Sequence, residues 1–136
     1  MTTEHRTTFP PRPLHGVKAV YARQAGCPSS FALAVADFEP WLEGLEFETA
    51  DTSTVPGRPA AEVAELHEAF GVREELADPA ALVPGTAVAV AVVLRSIEVH
   101  EVDTHPRAFR QAGRQAVRNA LAQAYGPPAT PWPRLP

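Results

Sequence analysis

The segment TAVAVAVVL at residues 86–94, followed by PRAFRQAGRQAVRNALAQAY at residues 106–125, decides the fold of this chain. A run made almost wholly of Val and Ala, preceded by Pro84-Gly85, is typical of a β-strand buried on both faces. In the second segment the apolar residues recur at helical spacing, at Phe109, Ala112, Ala116, Ala120, Leu121 and Ala124. Gly126 and Pro127 then end this helix.

Patterns on either side of the buried strand predict the remaining elements. Alternating apolar residues predict strands at 17–23, 31–38 and 45–48, the first two joined as a hairpin across residues 26–30. A helix opens at residues 59–66, Gly71 ends or bends it, and residues 72–76 could continue it as a short second piece. A tight turn near Arg95-Ser96 leads to a shorter predicted strand at 97–102. A sheet and two helices in this order indicate an α+β domain.

Proline marks both ends of the chain. Three prolines fall within residues 10–13 and five within residues 127–136, and such segments favour extended conformations that pack poorly. The sequence therefore predicts a Pro-rich N-terminal tail at 1–13, a folded domain at 14–126 and a Pro-rich C-terminal tail at 127–136. Trp132 either docks the C-terminal tail on the domain or stays exposed.

The composition excludes several classes of protein. Sixteen acidic residues outnumber 12 basic ones and the net charge is -4, so net charge alone cannot hold the chain on nucleic acid. The single cysteine, Cys27, excludes a disulfide scaffold, and no apolar run reaches the roughly 20 residues that span a bilayer. Residues 1–6 have no apolar stretch like that of a signal peptide, so we expect a cytoplasmic protein without membrane contact.

The final helix carries a distinct charge pattern. Arg107, Arg110, Arg114 and Arg118 are spaced three, four and four residues apart. At about 100° per residue they form one stripe, opposite the apolar face. Arginine suits bidentate contact with phosphate, so this arginine stripe is a candidate surface for an RNA backbone or an acidic protein. The alternative is a solvated helix face paired with acids of the same protein.

The sequence offers little for catalysis. It has no P-loop, GxGxxG or HExxH motif, and its five histidines lack metal-ligand spacing, so we expect no cofactor and no metal. Cys27 is the one candidate nucleophile. It lies in a predicted turn beside Ser29 and Ser30, and no local signature supports it.

Two blocks of the chain resemble a known family. The first consists of YARQAG at 21–26, Phe31, DFEP at 37–40 and GLEF at 44–47; the second consists of the strand at 88–94, HEVDT at 100–104 and AFRQAG at 108–113. In this order they resemble domain IV of translation elongation factor G, a domain that ribosome-protecting tetracycline resistance proteins carry in related form. The resemblance covers most of residues 14–126 and is weak from 51 to 84.

The resemblance implies an α+β fold of the ribosomal protein S5 domain 2-like type. Such a fold has a four-stranded mixed sheet, two helices on one face and a left-handed β-α-β crossover. In the full factor the domain enters the ribosomal A site and mimics part of a tRNA, with two loops at its tip near the decoding region. These tip loops map here to Gly26, Cys27, Pro28, Ser29 and Ser30, and to Ile97, Glu98 and His100.

Both tip loops depart from the family pattern. The residues Cys27-Pro28-Ser29-Ser30 stand where the family has a glycine-rich loop with an arginine, and Ile97-Glu98-Val99 stands where it has Gly-Ser-Tyr. Glycine allows a close approach of backbone to RNA, and arginine supplies charge. Their loss, together with the added Glu98, weakens the expectation of an identical contact at the decoding region.

The sequence therefore predicts a non-catalytic, stand-alone domain IV-like module that binds the ribosome or a structured RNA through the tip loops and the arginine stripe. One alternative is a protein-interaction module of the same fold with no RNA contact. The other is a small enzyme that uses Cys27 and His100. The sequence leaves the oligomeric state open.

Overall fold

The computed structural model describes residues 8–23, 30–50, 60–77, 85–98 and 106–126. Five strands and three helices lie within them. In chain order they are β1 (Thr8–Phe9), β2 (Leu14–Arg23), β3 (Ser30–Pro40), β4 (Gly44–Thr49), α1 (Ala60–Ala69), α2 (Val72–Ala77), β5 (Ala87–Glu98) and α3 (Pro106–Tyr125). No helix in these ranges is long and apolar enough to cross a membrane.

The sheet is built around β5, the strand predicted from the Val-Ala run. β3 pairs with it antiparallel, and β4 pairs with it in parallel from Gly44–Ala89 to Thr49–Leu94. Because β3 and β4 both pair with residues 90–94, they lie on opposite sides of β5. β2 pairs antiparallel with the outer edge of β3. The predicted four-stranded mixed sheet is thus confirmed, and β1 adds a short parallel pairing at Ala87 and Val88.

One face of the sheet is covered by the helices. Every second side chain of β3 from Ala32 to Phe38, and of β5 from Val90 to Leu94, is buried in a single core. The small alanines of β3 let α3 approach β2 and β3, while α1 and α2 pack against α3. The helices α1 and α2 also form the crossover between the parallel neighbours β4 and β5. This arrangement is an α+β domain of the ribosomal protein S5 domain 2-like type.

The predicted turn near Arg95-Ser96 is wrong, because β5 runs on through it to Glu98. Val35 pairs with Ser96 and Ala36 with Leu94, so Arg95 is an extra residue in the ladder. An extra residue of this kind is a β-bulge, which bends a strand without ending it. The polar pair was mistaken for a turn because a bulge and a turn both interrupt the alternation.

Part of the predicted N-terminal tail belongs to the folded domain. Phe9 has no exposed surface, and its ring meets that of Phe38 edge-on at 6.0 Å between centroids. The Tyr125 hydroxyl, at the end of α3, donates to the carbonyl oxygen of Thr8 at 3.0 Å. Burial of one aromatic ring thus outweighs the proline-rich composition around it. Residues 1–7, and the C-terminal tail with Trp132, lie outside the described residues.

Asp37, in the DFEP block, joins three strands on the uncovered face of the sheet. One carboxylate oxygen accepts a hydrogen bond from the Gly16 backbone N–H at 2.8 Å, and the other accepts from Arg95 Nε at 2.7 Å. Gly16 has a φ of 67° in the irregular stretch of β2, so the carboxylate stabilises a backbone conformation that favours glycine. Burial alone would raise the pKa of Asp37, but the hydrogen bond from Gly16 and the Arg95 guanidinium together hold it below its ordinary value.

We expect Asp37→Asn to lower the free energy of unfolding at neutral pH by about 1 kcal/mol, since Arg95 is half exposed and its charge is screened. The lowered pKa means that Asp37 stabilises the fold above the pKa of the unfolded chain, near pH 4. This stabilisation is lost as the pH falls through the folded-state pKa. Urea unfolding should therefore show a gap between wild type and variant at pH 7 that narrows as the pH falls below about 4. Glu46→Gln, an exposed acid on β4, is the control and should show a smaller gap at pH 7.

Candidate functional site

The predicted tip loops leave from one end of the sheet. The β2–β3 hairpin closes at the Arg23–Ser30 pair, and Glu98 at the end of β5 pairs with Leu33. The connections 24–29 and 99–105 therefore start from neighbouring strand ends, as the resemblance implies. We call this end of the domain the tip and the opposite end the base. Gly26, Cys27, Pro28, Ser29 and His100 lie outside the described residues.

The described residues of the predicted tip site point in different directions. Ile97 pairs with Ala34 and is half-buried against the hydrophobic core, so its side chain belongs mainly to the interior. Glu98 is exposed and lies one position further along the strand, on the opposite face. Ser30 forms the last pair of the hairpin. Glu98 therefore offers an exposed side chain where Ile97 does not, and the charge of Glu98 is negative.

Helix α3 points its N-terminus toward the tip. Its C-terminal end is fixed at the base, where Tyr125 contacts Thr8 and the Gln123 carbonyl accepts a hydrogen bond from Arg12 at 3.1 Å. A helix of 20 residues is about 30 Å long, so Pro106 lies at the far end. Arg107 and Arg110, in its first turns, are exposed there. Among the described residues, neither forms an ion pair.

The other half of the arginine stripe is not a free surface. Glu75 of α2 accepts hydrogen bonds from Arg114 Nε and Arg118 Nε, both at 2.9 Å, one on each carboxylate oxygen. The side chains of Glu75 and Arg118 are 1% and 7% exposed, and that of Arg114 is 24% exposed. The prediction that all four arginines lie opposite the buried face is therefore wrong for Arg118 and Arg114. The alternative, pairing with the protein's own acids, is correct for this pair.

Two glycines bring the helices close enough for this ion-pair network. A Cβ built on Gly113 would lie 2.7 Å from the Gly71 Cα, and a Cβ on Gly71 would collide with the Arg110 carbonyl. Both positions must lack a side chain for the turn before α2 to rest on α3. This crossing carries Glu75, one helical turn after Gly71, to a point between Arg114 and Arg118. Helix α3 is consequently covered on two sides, by the sheet and by α2.

The described residues do not assemble a metal site, since no group of three His, Cys, Asp or Glu side chains converges within them. His15 contacts Glu39 at 3.0 Å on an exposed surface of the sheet. Cys27 and His100, on which the enzyme hypothesis depends, lie outside the described residues. The chemistry that the described site offers is therefore charge and hydrogen bonding from Arg107 and Arg110 at the tip.

Sequence reasoning missed Glu75 and the close helix crossing. Glu75 follows Glu74 in an acidic stretch that has the composition of a solvated surface, and nothing in that composition separates the two residues. The sequence of α3 contained one indication of the close helix crossing, because Gly113 interrupts a helix that is otherwise rich in good helix formers. A glycine there indicates close packing more often than flexibility. Trp41 and Leu42, which are exposed in the β3–β4 connection, were also passed over.

Comparisons with known proteins support the fold. No known family profile matches the chain. A solved structure from Thermus thermophilus, the protein ttk003000868, is similar to this chain with a TM-score of 0.60 and 21% sequence identity. The match covers 83% of this chain but 16% of the Thermus protein, so there the fold is one part of a much longer chain. At this identity the likeness shows the fold alone.

Replacing Gly113 with Ala should destabilise the protein by about 1–3 kcal/mol, because the added methyl group overlaps the Gly71 backbone. The sign of the change in the free energy of unfolding tests the close crossing, since Gly→Ala in an uncrowded helix interior stabilises a protein by roughly 1 kcal/mol. Thermal unfolding measures the difference. Gln123→Ala, at an exposed position of the same helix, is the control and should change stability little. A stabilised Gly113→Ala variant would contradict the close crossing.

Glu75→Gln should lower the free energy of unfolding by about 3–5 kcal/mol, because it removes the carboxylate charge that pairs with the partly buried Arg114 and the buried Arg118. The matched control is Glu74→Gln, the same change at the exposed neighbouring position, which should cost less than about 0.5 kcal/mol. Chemical denaturation of both variants gives the comparison. Equal effects at the two positions would show that the ion-pair network does not form.

Proposed function

We propose that this chain contains a non-catalytic module, similar to domain IV of elongation factor G, that binds the ribosome or a structured RNA with its tip. In this proposal it acts in translation in the cytoplasm and needs neither a metal nor a cofactor. The observation that carries the proposal is geometric. The starts of both tip connections and the N-terminus of α3, with Arg107 and Arg110 exposed, face the same end of the domain.

Arginine at this position suits a phosphate backbone. Its guanidinium offers bidentate hydrogen bonds to phosphate oxygens and keeps its charge at any physiological pH. The peptide dipoles of α3 add partial positive charge at the same helix end. Two exposed arginines form a small contact set, so the proposal expects modest affinity that depends on salt. Shape and the tip loops would then contribute the rest of the recognition.

The proposal excludes the energy-driven step of the full factor. The sequence has no P-loop motif, so the chain itself has no phosphate-binding loop of that kind for a nucleoside triphosphate. The function proposed for these residues is therefore binding. Binding alone can still block, protect or mark a site on the ribosome.

The alternative function, an enzyme that uses Cys27 and His100, requires a reactive cysteine. A nucleophilic Cys27 must exist as a thiolate at neutral pH, which accelerates its reaction with iodoacetamide relative to a free cysteine. We expect ordinary alkylation kinetics. Rapid alkylation that slows when His100 is replaced by Ala would favour the enzyme over the binding module.

Ribosome binding tests the proposal directly. The full chain should co-sediment with ribosomes at low salt, and the affinity should fall as the salt concentration rises. Arg107→Ala with Arg110→Ala should weaken binding severalfold and flatten the dependence of log K on log salt by roughly one to two units. Neither replacement touches the Glu75 network, so the fold should be unaffected.

The control for this experiment removes the same charge elsewhere. Arg12→Ala with Lys18→Ala takes two exposed positive charges from positions away from the tip. Its binding should stay close to that of wild type. Equal loss in both double variants would mean that net charge, and not the tip, governs the interaction. Absence of co-sedimentation with ribosomes and of binding to ribosomal RNA would remove the proposal.

A further inference from the structure

We propose a second binding surface, at the base of the domain, that takes a basic protein segment with an apolar anchor. This base surface consists of the exposed apolar side chains Trp41, Leu42 and Tyr125, with the exposed acids Glu43, just before β4, and Glu46, near the start of β4. It is independent of the proposed RNA contact, because it lies at the opposite end of the sheet and has the opposite charge.

The backbone places the apolar residues of the base surface at one end. The Trp41 N–H donates to the Ala89 carbonyl at 2.8 Å, near the start of β5. β1 pairs with the adjacent Ala87 and Val88, and the Tyr125 hydroxyl contacts Thr8 of that strand. Trp41 and Tyr125 therefore border the same short stretch of sheet, and Leu42 follows Trp41 in the connection to β4.

These side chains are exposed to an unusual degree. Leu42 is 89% exposed, Trp41 47% and Tyr125 42%. Val20 is the one other large hydrophobic residue with comparable exposure among the described residues, and it lies on β2, away from the base. A connection of this length needs no large apolar residue, since Gly44 with a φ of 67° already makes the turn. Exposed tryptophan and tyrosine are the residue types that dominate binding energy at protein interfaces.

Charge decides which kind of partner fits. Glu43, Glu46 and Glu48 are exposed on and just before β4. Among the described residues near this end, Arg12 donates to the Gln123 carbonyl and His15 contacts Glu39, and the acids outnumber these two basic side chains. The excess of acid repels a phosphate backbone and an anionic membrane. A second copy of the chain, related by a two-fold axis, would bring acids against acids. A basic protein segment with an apolar side chain complements both the acidic and the exposed apolar residues of the base surface.

The test uses the full chain and a defined probe, a fluorescein-labelled helical peptide of Lys and Leu. Two matched peptides replace every Lys by Glu or every Leu by Ala. Anisotropy titration should show binding of the Lys-Leu peptide, weaker binding of the Lys-Ala peptide and none of the Glu-Leu peptide. The Trp41 indole signal in a two-dimensional NMR spectrum should shift during the same titration.

Paired variants locate the binding. Leu42→Ser should weaken binding of the Lys-Leu peptide by about fivefold or more. Val20→Ser removes an exposed apolar side chain away from the base and should leave the affinity unchanged. Glu43→Gln with Glu46→Gln should weaken binding severalfold, whereas Glu65→Gln with Glu68→Gln, the same charge change on exposed positions of α1, should not.

Several results would overturn the inference. Equal effects of Leu42→Ser and Val20→Ser on peptide binding would contradict a site at the base. Equal effects of the two double glutamate variants would show that the peptide binds by general charge attraction. If the chain self-associates and Leu42→Ser abolishes this association, the occupant is a second copy of the chain. If the chain binds neutral lipid vesicles and Leu42→Ser abolishes this binding, the occupant is a membrane. The base variants should leave ribosome co-sedimentation unchanged, so failure here is distinguishable from failure of the proposed function.

Discussion

The close contact between Gly71 and Gly113 is the constraint on which the rest of the structure depends. It lets the chain cross α3 at backbone distance, and that crossing brings the Glu75 carboxylate between two arginines of α3. A buried ion-pair network adds little net stability compared with apolar packing, but breaking it is costly. We expect its effect to be one of specificity, in which Glu75 fixes the register of α2 on α3 by holding Arg114 and Arg118. The same contact leaves Arg107 and Arg110, which lie nearer the helix N-terminus, available for other molecules.

The order of the strands gives the domain two different ends. β5 runs from base to tip, β3 returns from tip to base, and α3 begins at the tip and ends against β1. The tip therefore contains the end of the β2–β3 hairpin, the end of β5 and the first arginines of α3. The base collects the β3–β4 connection with Trp41 and Leu42. The two proposed binding surfaces lie at these ends, where connections between elements tolerate variation that the packed sheet does not.

Local patterns predicted most of the fold. The Val-Ala run of β5, the hairpin and the periodicity of α3 are signals within one element, and each element formed where its signal lay. The errors concern relations between distant residues. Phe9 is buried because its ring packs against the rings of Phe38 and Tyr125. Arg95 forms a β-bulge opposite β3, where its side chain donates a hydrogen bond to Asp37. The arginine stripe was correctly located in sequence, but its partner stands 39 residues before Arg114, beyond any helical periodicity.

A net charge of -4 is compatible with the proposed RNA contact at the tip because part of the acidic charge lies toward the base, although the exposed Glu98 lies at the tip. Glu43 precedes the start of β4 at the base, whereas Arg107 lies at the other end of α3, whose 20 residues span about 30 Å. At physiological ionic strength electrostatic interactions decay over roughly 8 Å, so the base acids scarcely weaken an arginine–phosphate contact at the tip. They act instead on orientation, because a domain that approaches phosphate with its base is repelled and one that approaches with its tip is attracted. If both proposals hold, the same separation directs the acidic base away from the RNA and leaves it accessible to the proposed basic protein segment.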